Sequence, residues 1–156
     1  MEKGSYKLIQ LMNKILISHR GNLSGKQPEL ENTPAYIDAA LAAGFKCEVD
    51  VYYYDDKLYL GHDDAQTETS VRYLQQDGII AHAKNLDALA EMLQLNIHCF
   101  YHHNDNYTLT SRNWIWAFPG KPGTLVHPCI AVLPENYSTD ISNFDGVCSD
   151  FIADYR

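Results

Sequence analysis

Residues 15–21 read ILISHRG and residues 45–54 read FKCEVDVYYY, and these two stretches decide the fold class of the chain. The first is a short apolar run typical of a buried strand, and the second alternates its side chains as a strand does. Residues 35–43 between them are rich in alanine and predict a helix, which Pro34 opens and Gly44 ends. A strand, a helix and a second strand in this order indicate an α/β domain with parallel strand pairing.

The same alternation of elements continues through the next part of the chain. Residues 46–62 predict a hairpin, and residues 78–82 predict a strand. Asn85 is a capping residue for the following helix, after which residues 96–101 predict another strand. Beyond residue 105 the helical pattern disappears, and strand-like runs are separated by proline and glycine. These runs are residues 114–118, 124–126, 130–133 and 146–148.

Length and charge narrow the class of protein. The chain has 156 residues, which predicts one domain over residues 1–156, with residues 1–13 as an N-terminal extension or a short amphipathic helix. The formal net charge of −8 argues against nucleic acid or an anionic membrane as a partner. No apolar run is long enough to span a membrane, and the N-terminus is a poor secretory signal, so we expect a cytoplasmic protein.

The four cysteines are scattered along the chain and form no C-x-x-C pair. This spacing indicates neither a zinc site nor a disulfide framework. Three of the four lie in strand-like apolar runs, where a free cysteine usually acts as a small buried hydrophobe.

Two groups of polar residues suggest chemistry. Glu48 and Asp50 are two residues apart on a predicted strand, so both carboxylates leave the same face. They are either surface acids or ligands of a hard cation such as Mg²⁺ or Ca²⁺. His19 and Arg20 directly follow a predicted buried strand, which favours an oxyanion or phosphate site, although His19 could also be a hydrogen-bonded core residue.

Four short motifs stand in a fixed order along residues 14–64, and together they are more specific than any one alone. They are HRG at residues 19–21, ENT at 31–33, EVDV at 48–51 and GHD at 61–63. In this order they resemble the motifs of the glycerophosphodiester phosphodiesterase family, and DGVCSD at 145–150 resembles the family's closing strand. The resemblance implies a small, reduced TIM-barrel-like fold with few helices in its second half.

The resemblance also implies roles for individual residues around one divalent metal ion. His19 and His62 would be the catalytic acid and base, and Glu48 and Asp50 the metal ligands. Arg20 would contact the phosphate oxygens, and Glu31 would orient this cluster. In such an enzyme, a cation and an arginine offset the negative charge of the phosphate. Two imidazoles transfer the protons of the reaction near neutral pH.

The chain departs from the family pattern on a middle strand. His98 stands where the family has a third acidic ligand, and Phe100 stands where it has a lysine. His98 is either a metal ligand, which would favour Mn²⁺ or Zn²⁺, or a hydrogen-bonded lining residue. In the second case, Asp105 or water molecules would complete the coordination shell of the metal. Lys84 either supplies the missing cation or is a strand-end lysine without a role.

The leading hypothesis is therefore metal-dependent hydrolysis of a glycerophosphodiester or a similar small phosphate ester. One alternative is a degenerate module that binds phosphate or metal without turnover, and another is a phospholipase of the sphingomyelinase D type. A barrel with few covering helices would expose apolar wall, so we also expect a homo-oligomer.

Overall fold

The computed structural model describes residues 14–156, so the expectations for residues 1–13 lie outside the described part. Its strands are β1 Ile15–His19, β2 Lys46–Tyr54, β3 Lys57–Leu60, β4 Thr67–Thr69, β5 Ile79–Ala83, β6 Cys99–Tyr101, β7 Tyr107–Leu109, β8 Ile115–Ala117, β9 Cys129–Val132 and β10 Gly146–Ser149. Its α-helices are α1 Pro34–Ala42, α2 Val71–Leu74 and α3 Leu86–Gln94. Two 3₁₀ turns, Pro134–Asn136 and Ile152–Tyr155, complete the regular structure.

The predicted helix boundaries have the local causes that the sequence indicates. Pro34 lies in the first turn of α1, and Gly44, at a φ of +90°, follows its last residues. Asn85 caps α3, because its side chain accepts a hydrogen bond from the backbone N–H of Ala88 at 2.9 Å. The one-turn helix α2 was not predicted, since four residues carry too little periodicity to detect.

All ten strands belong to one sheet, and seven of them run parallel in the order β6-β5-β2-β1-β10-β9-β8. The antiparallel strands β3 and β4 continue from β2 as the predicted hairpin and a further strand, and β7 pairs with β8. The parallel pairing of β1 with β10 brings Ile15 opposite Gly146. Glycine is required there, because a Cβ on Gly146 would stand 2.7 Å from the carbonyl oxygen of Ile15.

The sheet curls, so that six parallel strands contribute buried side chains to one cluster. These are Ile17, Ile80, Phe100, Trp116, Ile130 and Cys148. Phe100 of β6 and Trp116 of β8 meet with ring centroids 4.8 Å apart, yet β6 and β8 share no ladder in the described residues. The loop between β7 and β8 contacts β6 through a backbone hydrogen bond in place of a ladder. In it, the N–H of Ser111 donates to the carbonyl oxygen of Cys99 at 2.8 Å. The α/β class is thus confirmed, but the sheet is not closed into the expected barrel.

The helices pack on the other face of the first half of the sheet. Ile37 of α1 and Met92 of α3 share a buried cluster with Val49 and Val51 of β2. The second half has no α-helix in the described residues, as expected, and Phe144 and Ile152 cover β9 and β10 from loops and turns. Within residues 14–156, no helix is both long and apolar enough to cross a membrane.

Two further expectations concern residues outside the site. All four cysteines are free and buried, including the three for which the strand-like runs predicted this. The predicted strand at residues 124–126 is wrong, because this segment is a loop in which Leu125 is 96% exposed. Its run of apolar residues does not pack against the sheet.

Candidate functional site

Two buried carboxylates form the centre of the candidate site. Glu48 and Asp50 lie on β2 with 3% and 0% of their surface exposed, so the interpretation as surface acids is wrong. His82 of β5 lies directly opposite Asp50 in the parallel ladder. Its Nδ1 atom is 3.2 Å from Asp50 Oδ1 and 3.7 Å from Glu48 Oε1. Parallel pairing of β2 with β5 therefore brings an imidazole against both acids.

The surroundings of His82 fix its tautomer. Its Nε2 atom is 3.2 Å from the carbonyl oxygen of His102, and because a carbonyl only accepts, Nε2 carries the hydrogen. In the neutral ring, Nδ1 is then a lone pair directed at Glu48 and Asp50. The ring also stacks on Phe100 with centroids 4.8 Å apart, which holds its plane.

The acids are left with free acceptor atoms. Glu48 Oε2 and Asp50 Oδ1 are buried without a hydrogen-bond partner among the described residues, which is costly for polar atoms. Ligand atoms of Glu48, Asp50 and His82 all lie within 4.8 Å of one another. Two carboxylates and an imidazole in this arrangement could hold a divalent cation.

Cationic and amide groups surround Asp50. Arg20 Nε is 2.9 Å from Asp50 Oδ2, and Lys84 Nζ is 3.7 Å from Asp50 Oδ1. Asn32 binds Asp50 twice: its Nδ2 donates to Oδ2 at 2.9 Å, and its Oδ1 accepts from the Asp50 N–H at 2.9 Å. Arg20 and Lys84 thus both lie beside the acidic cluster.

The two acids differ in their affinity for a proton. Burial raises the pKa of Glu48, and the charge of Asp50 raises it further, beyond what the neighbouring histidines and Arg20 offset. Burial also opposes ionisation of Asp50, but the positive charges of Arg20 and Lys84 favour the carboxylate, and its pKa is lowered. Asp50 is thus the permanent anion of the pair.

His19 is held by a second acid that the motifs did not identify as functional. Its Nδ1 donates to Asp150 Oδ1 at 2.7 Å, and its Nε2 is 3.8 Å from Glu48 Oε2. Asn22 donates to the same Asp150 oxygen at 2.9 Å. Burial lowers the pKa of His19, but the hydrogen bond with Asp150 and the charge of Glu48 outweigh it, so the pKa is raised.

His62 lines a cavity of about 240 Å³ beside the acidic cluster. Its Nδ1 is 2.7 Å from Asp63 Oδ1, the same arrangement that His19 has with Asp150. Glu31 lines the same cavity, and its Oε2 atom is 3.3 Å from Arg20 Nη1. The residues that line the cavity include Arg20, Lys26, Glu31, Asn32, His62 and Asp63.

His98 is not part of this cluster, which corrects the expectation of a third ligand at that position. Its Nε2 is 2.9 Å from Thr110 Oγ1, and its ring meets Trp114 edge-on at 4.8 Å. The alternative of a hydrogen-bonded lining residue is the one observed, and His82 is the imidazole at the acids. The register of β5 against β2 decides this, because it places His82, and Lys84 directly after the strand, beside Asp50.

No protein-family model matches this chain, and no curated protein and no solved structure matches it either. The functional interpretation therefore depends on the site itself. The site combines convergent acceptor atoms, two cations beside them and two histidines whose Nδ1 atoms are each bound to a carboxylate. This arrangement can neutralise a charged ligand and exchange protons with it.

Proposed function

We propose that this chain is a metal-dependent phosphodiesterase that hydrolyses a glycerophosphodiester or a similar small phosphate ester. Two observations together carry the proposal: Glu48 Oε2 and Asp50 Oδ1 are buried without a hydrogen-bond donor among the described residues, and both carboxylates face His82 Nδ1 through Glu48 Oε1 and Asp50 Oδ1. Acceptors that face one another without donors are stabilised by a cation. The order of motifs from residue 19 to residue 63 supports the choice of substrate.

The donor set fits a divalent metal ion. Glu48, Asp50 and His82 would hold it, with hard Mg²⁺ or Ca²⁺ favoured by the carboxylates and Mn²⁺ or Zn²⁺ by the imidazole. When bound, such an ion supplies positive charge that stabilises the phosphoryl oxygens during displacement. Asn32 keeps the Asp50 carboxylate in place through its two hydrogen bonds.

Arg20 and Lys84 bind and orient the phosphate group. Asp50 and Glu31 fix the Arg20 guanidinium through Nε and Nη1, which leaves its other N–H donors for phosphate oxygens. Lys84 adds a second positive charge, 3.7 Å from Asp50 Oδ1. These two cations also explain how an acidic chain accepts an anionic substrate.

His19 and His62 exchange the protons of the reaction. Asp150 and Asp63 each hold an Nδ1–H, so the free atom of both imidazoles is Nε2. One Nε2 takes the proton from the attacking hydroxyl, and the other gives a proton to the leaving alkoxide. Glu48 and Asp150 favour the protonated form of His19, which suits it to hold a proton near neutral pH.

The sheet supports the TIM-barrel-like part of the proposal. Six of its seven parallel strands contribute side chains to one buried cluster, and the candidate site lies toward the carboxyl ends of β1, β2, β5 and β10. Parallel barrels place their active sites at that end. We propose a cytoplasmic enzyme, and the exposed side chains of Leu109, Leu125 and Val126 support self-association, which sedimentation would measure.

Hydrolysis of bis(p-nitrophenyl) phosphate tests the activity. The full chain is assayed after EDTA treatment and after addition of Mg²⁺, Ca²⁺, Mn²⁺ or Zn²⁺. We expect metal-dependent turnover that His19→Ala and His62→Ala each reduce by about a hundredfold or more. His103→Ala, an exposed histidine elsewhere on the surface, is the matched control and should retain full activity.

The binding-module alternative predicts a different result. In that case phosphate or metal raises the thermal midpoint of the wild type, but no metal restores turnover. Turnover that persists undiminished in EDTA, or in both histidine variants, would also refute the proposed mechanism. A choline-containing phosphodiester lipid as the preferred substrate would favour the sphingomyelinase D type over the glycerophosphodiester.

A further inference from the structure

A second cavity, of about 420 Å³, opens away from the acidic cluster at the amino ends of the parallel strands. Gly78, directly before β5, and Ile80 of β5 line this cavity, whereas His82, two residues further along the strand, belongs to the acidic cluster. Phe100 and Trp116 continue the apolar layer across β6 and β8. A ligand in this cavity would therefore be separate from one in the candidate active site. The volume lies in the range of small-molecule sites.

Two cations define the charge of this cavity. Arg112 and Lys46 line it together with one acid, Asp77, in a chain whose formal net charge is −8. Arg112 uses Nη2 to donate to the carbonyl oxygen of Asn96 at 3.1 Å, which fixes the guanidinium without neutralising it. Lys46 is 3.7 Å from Asp77 Oδ1, but the Asp77 side chain is fully exposed, and such pairs are weak. The local charge is thus positive.

His98 contributes a hydrogen-bond donor, as its contact with Thr110 shows. The Thr110 hydroxyl oxygen accepts from the N–H groups of Arg112 at 3.3 Å and Trp114 at 3.2 Å. With both lone pairs used, the hydroxyl donates its own hydrogen to His98 Nε2, 2.9 Å away. The neutral ring therefore carries its hydrogen on Nδ1, which forms no hydrogen bond with the described residues.

We infer that this second cavity is a binding site for a small organic oxyanion, a carboxylate or a phosphate ester. Arg112 and Lys46 supply the charge, and His98 Nδ1–H supplies a neutral donor. Trp114 forms an aromatic wall beside them. The inference uses none of the residues of the proposed active site, so it stands whether or not the chain is a phosphodiesterase.

NMR of the full chain in EDTA tests the site directly. Sodium phosphate and sodium citrate are titrated separately at constant ionic strength, with the His98 ring and Trp114 indole resonances as probes. We expect saturable shifts of both. Arg112→Gln should weaken binding by about tenfold or more, since it removes a charged donor. Arg72→Gln, an exposed arginine on α2, is the matched control and should bind like the wild type.

The two anions distinguish the ligand classes. Saturation by phosphate alone supports a phosphate ester, saturation by citrate alone supports a carboxylate, and saturation by both supports a general oxyanion site. Three results overturn the inference. One is the absence of a saturable shift at either probe, another is unchanged affinity in Arg112→Gln, and the third is shifts confined to His19 and His82.

Discussion

Protonation of His98 should reduce the stability of the folded chain as the pH falls. Burial lowers the pKa of this imidazole, and the charges of Arg112 and Lys46 lower it further, from 6.5 to about 4. Between these two values the unfolded chain binds a proton that the folded chain does not. Neutral His98 therefore makes its full contribution to the free energy of unfolding above about pH 6.5. This contribution declines as the pH falls toward about 4 and does not change further below that pH.

The size of this effect follows from the two pKa values. Their difference of about 2.5 corresponds to about 3.4 kcal/mol, at 1.36 kcal/mol for each pKa unit. The His98 ring is only partly enclosed, and solvent screens part of the interaction with Arg112 and Lys46. We therefore expect about 1–2 kcal/mol of the free energy of unfolding to disappear over this pH range.

Urea unfolding at pH 7 and pH 4.5 measures the loss. His98→Gln is the informative variant, because a glutamine oxygen can accept the Thr110 hydroxyl but cannot titrate. The variant should lose about 1–2 kcal/mol less than the wild type between the two pH values. His103→Gln controls for removal of an exposed histidine. Equal losses in the wild type and His98→Gln would refute the reasoning, because His98 would then titrate as it does in the unfolded chain.

Three further predictions concern the acidic cluster. Mn²⁺ at a hundredfold excess over its dissociation constant should raise the thermal midpoint by about 5–10 °C, and Glu48→Gln should abolish this rise in calorimetry. Asp150→Asn should lower turnover by about a hundredfold or more. Without the Asp150 carboxylate, burial lowers the pKa of His19, so the limb of the pH–rate profile that reports His19 should move to lower pH. Asn32→Ala should cost about 2–4 kcal/mol in urea unfolding, since Asp50 loses two buried hydrogen bonds, whereas exposed Asn104→Ala should change little.

Local signals predicted the first half of the fold well. Gly44 ends α1 and Asn85 begins α3. Both act through residues only a few positions away in the chain, so the sequence alone predicts these boundaries. The segment at residues 124–126 shows the limit of this approach. Its β-type composition is that of a strand, but whether a strand forms depends on a partner, and Leu125 lies in solvent.

The candidate site was predicted in part for the same reason. Glu48 and Asp50 share a face by the two-residue period of a strand, which needs no knowledge of the fold. His98 does not lie at these acids, and His82, which does, was not among the predicted ligands, because its place there depends on the register between β2 and β5. The contact of His19 with Asp150 joins residues 131 positions apart, and only the pairing of β1 with β10 brings them together.

The central place of β1 in the sheet has a consequence for how the chain folds. Its two neighbours are β2, which follows after one helix, and β10, which is the last strand of the described chain. Contacts of such large sequence separation form late, since a long loop must close before they gain any energy. The segments carrying β2–β6 and β8–β10 can each organise locally, and β1 then joins them. His19 and Asp150 would meet only in that last step, so the chain should acquire its acid–base machinery at the end of folding.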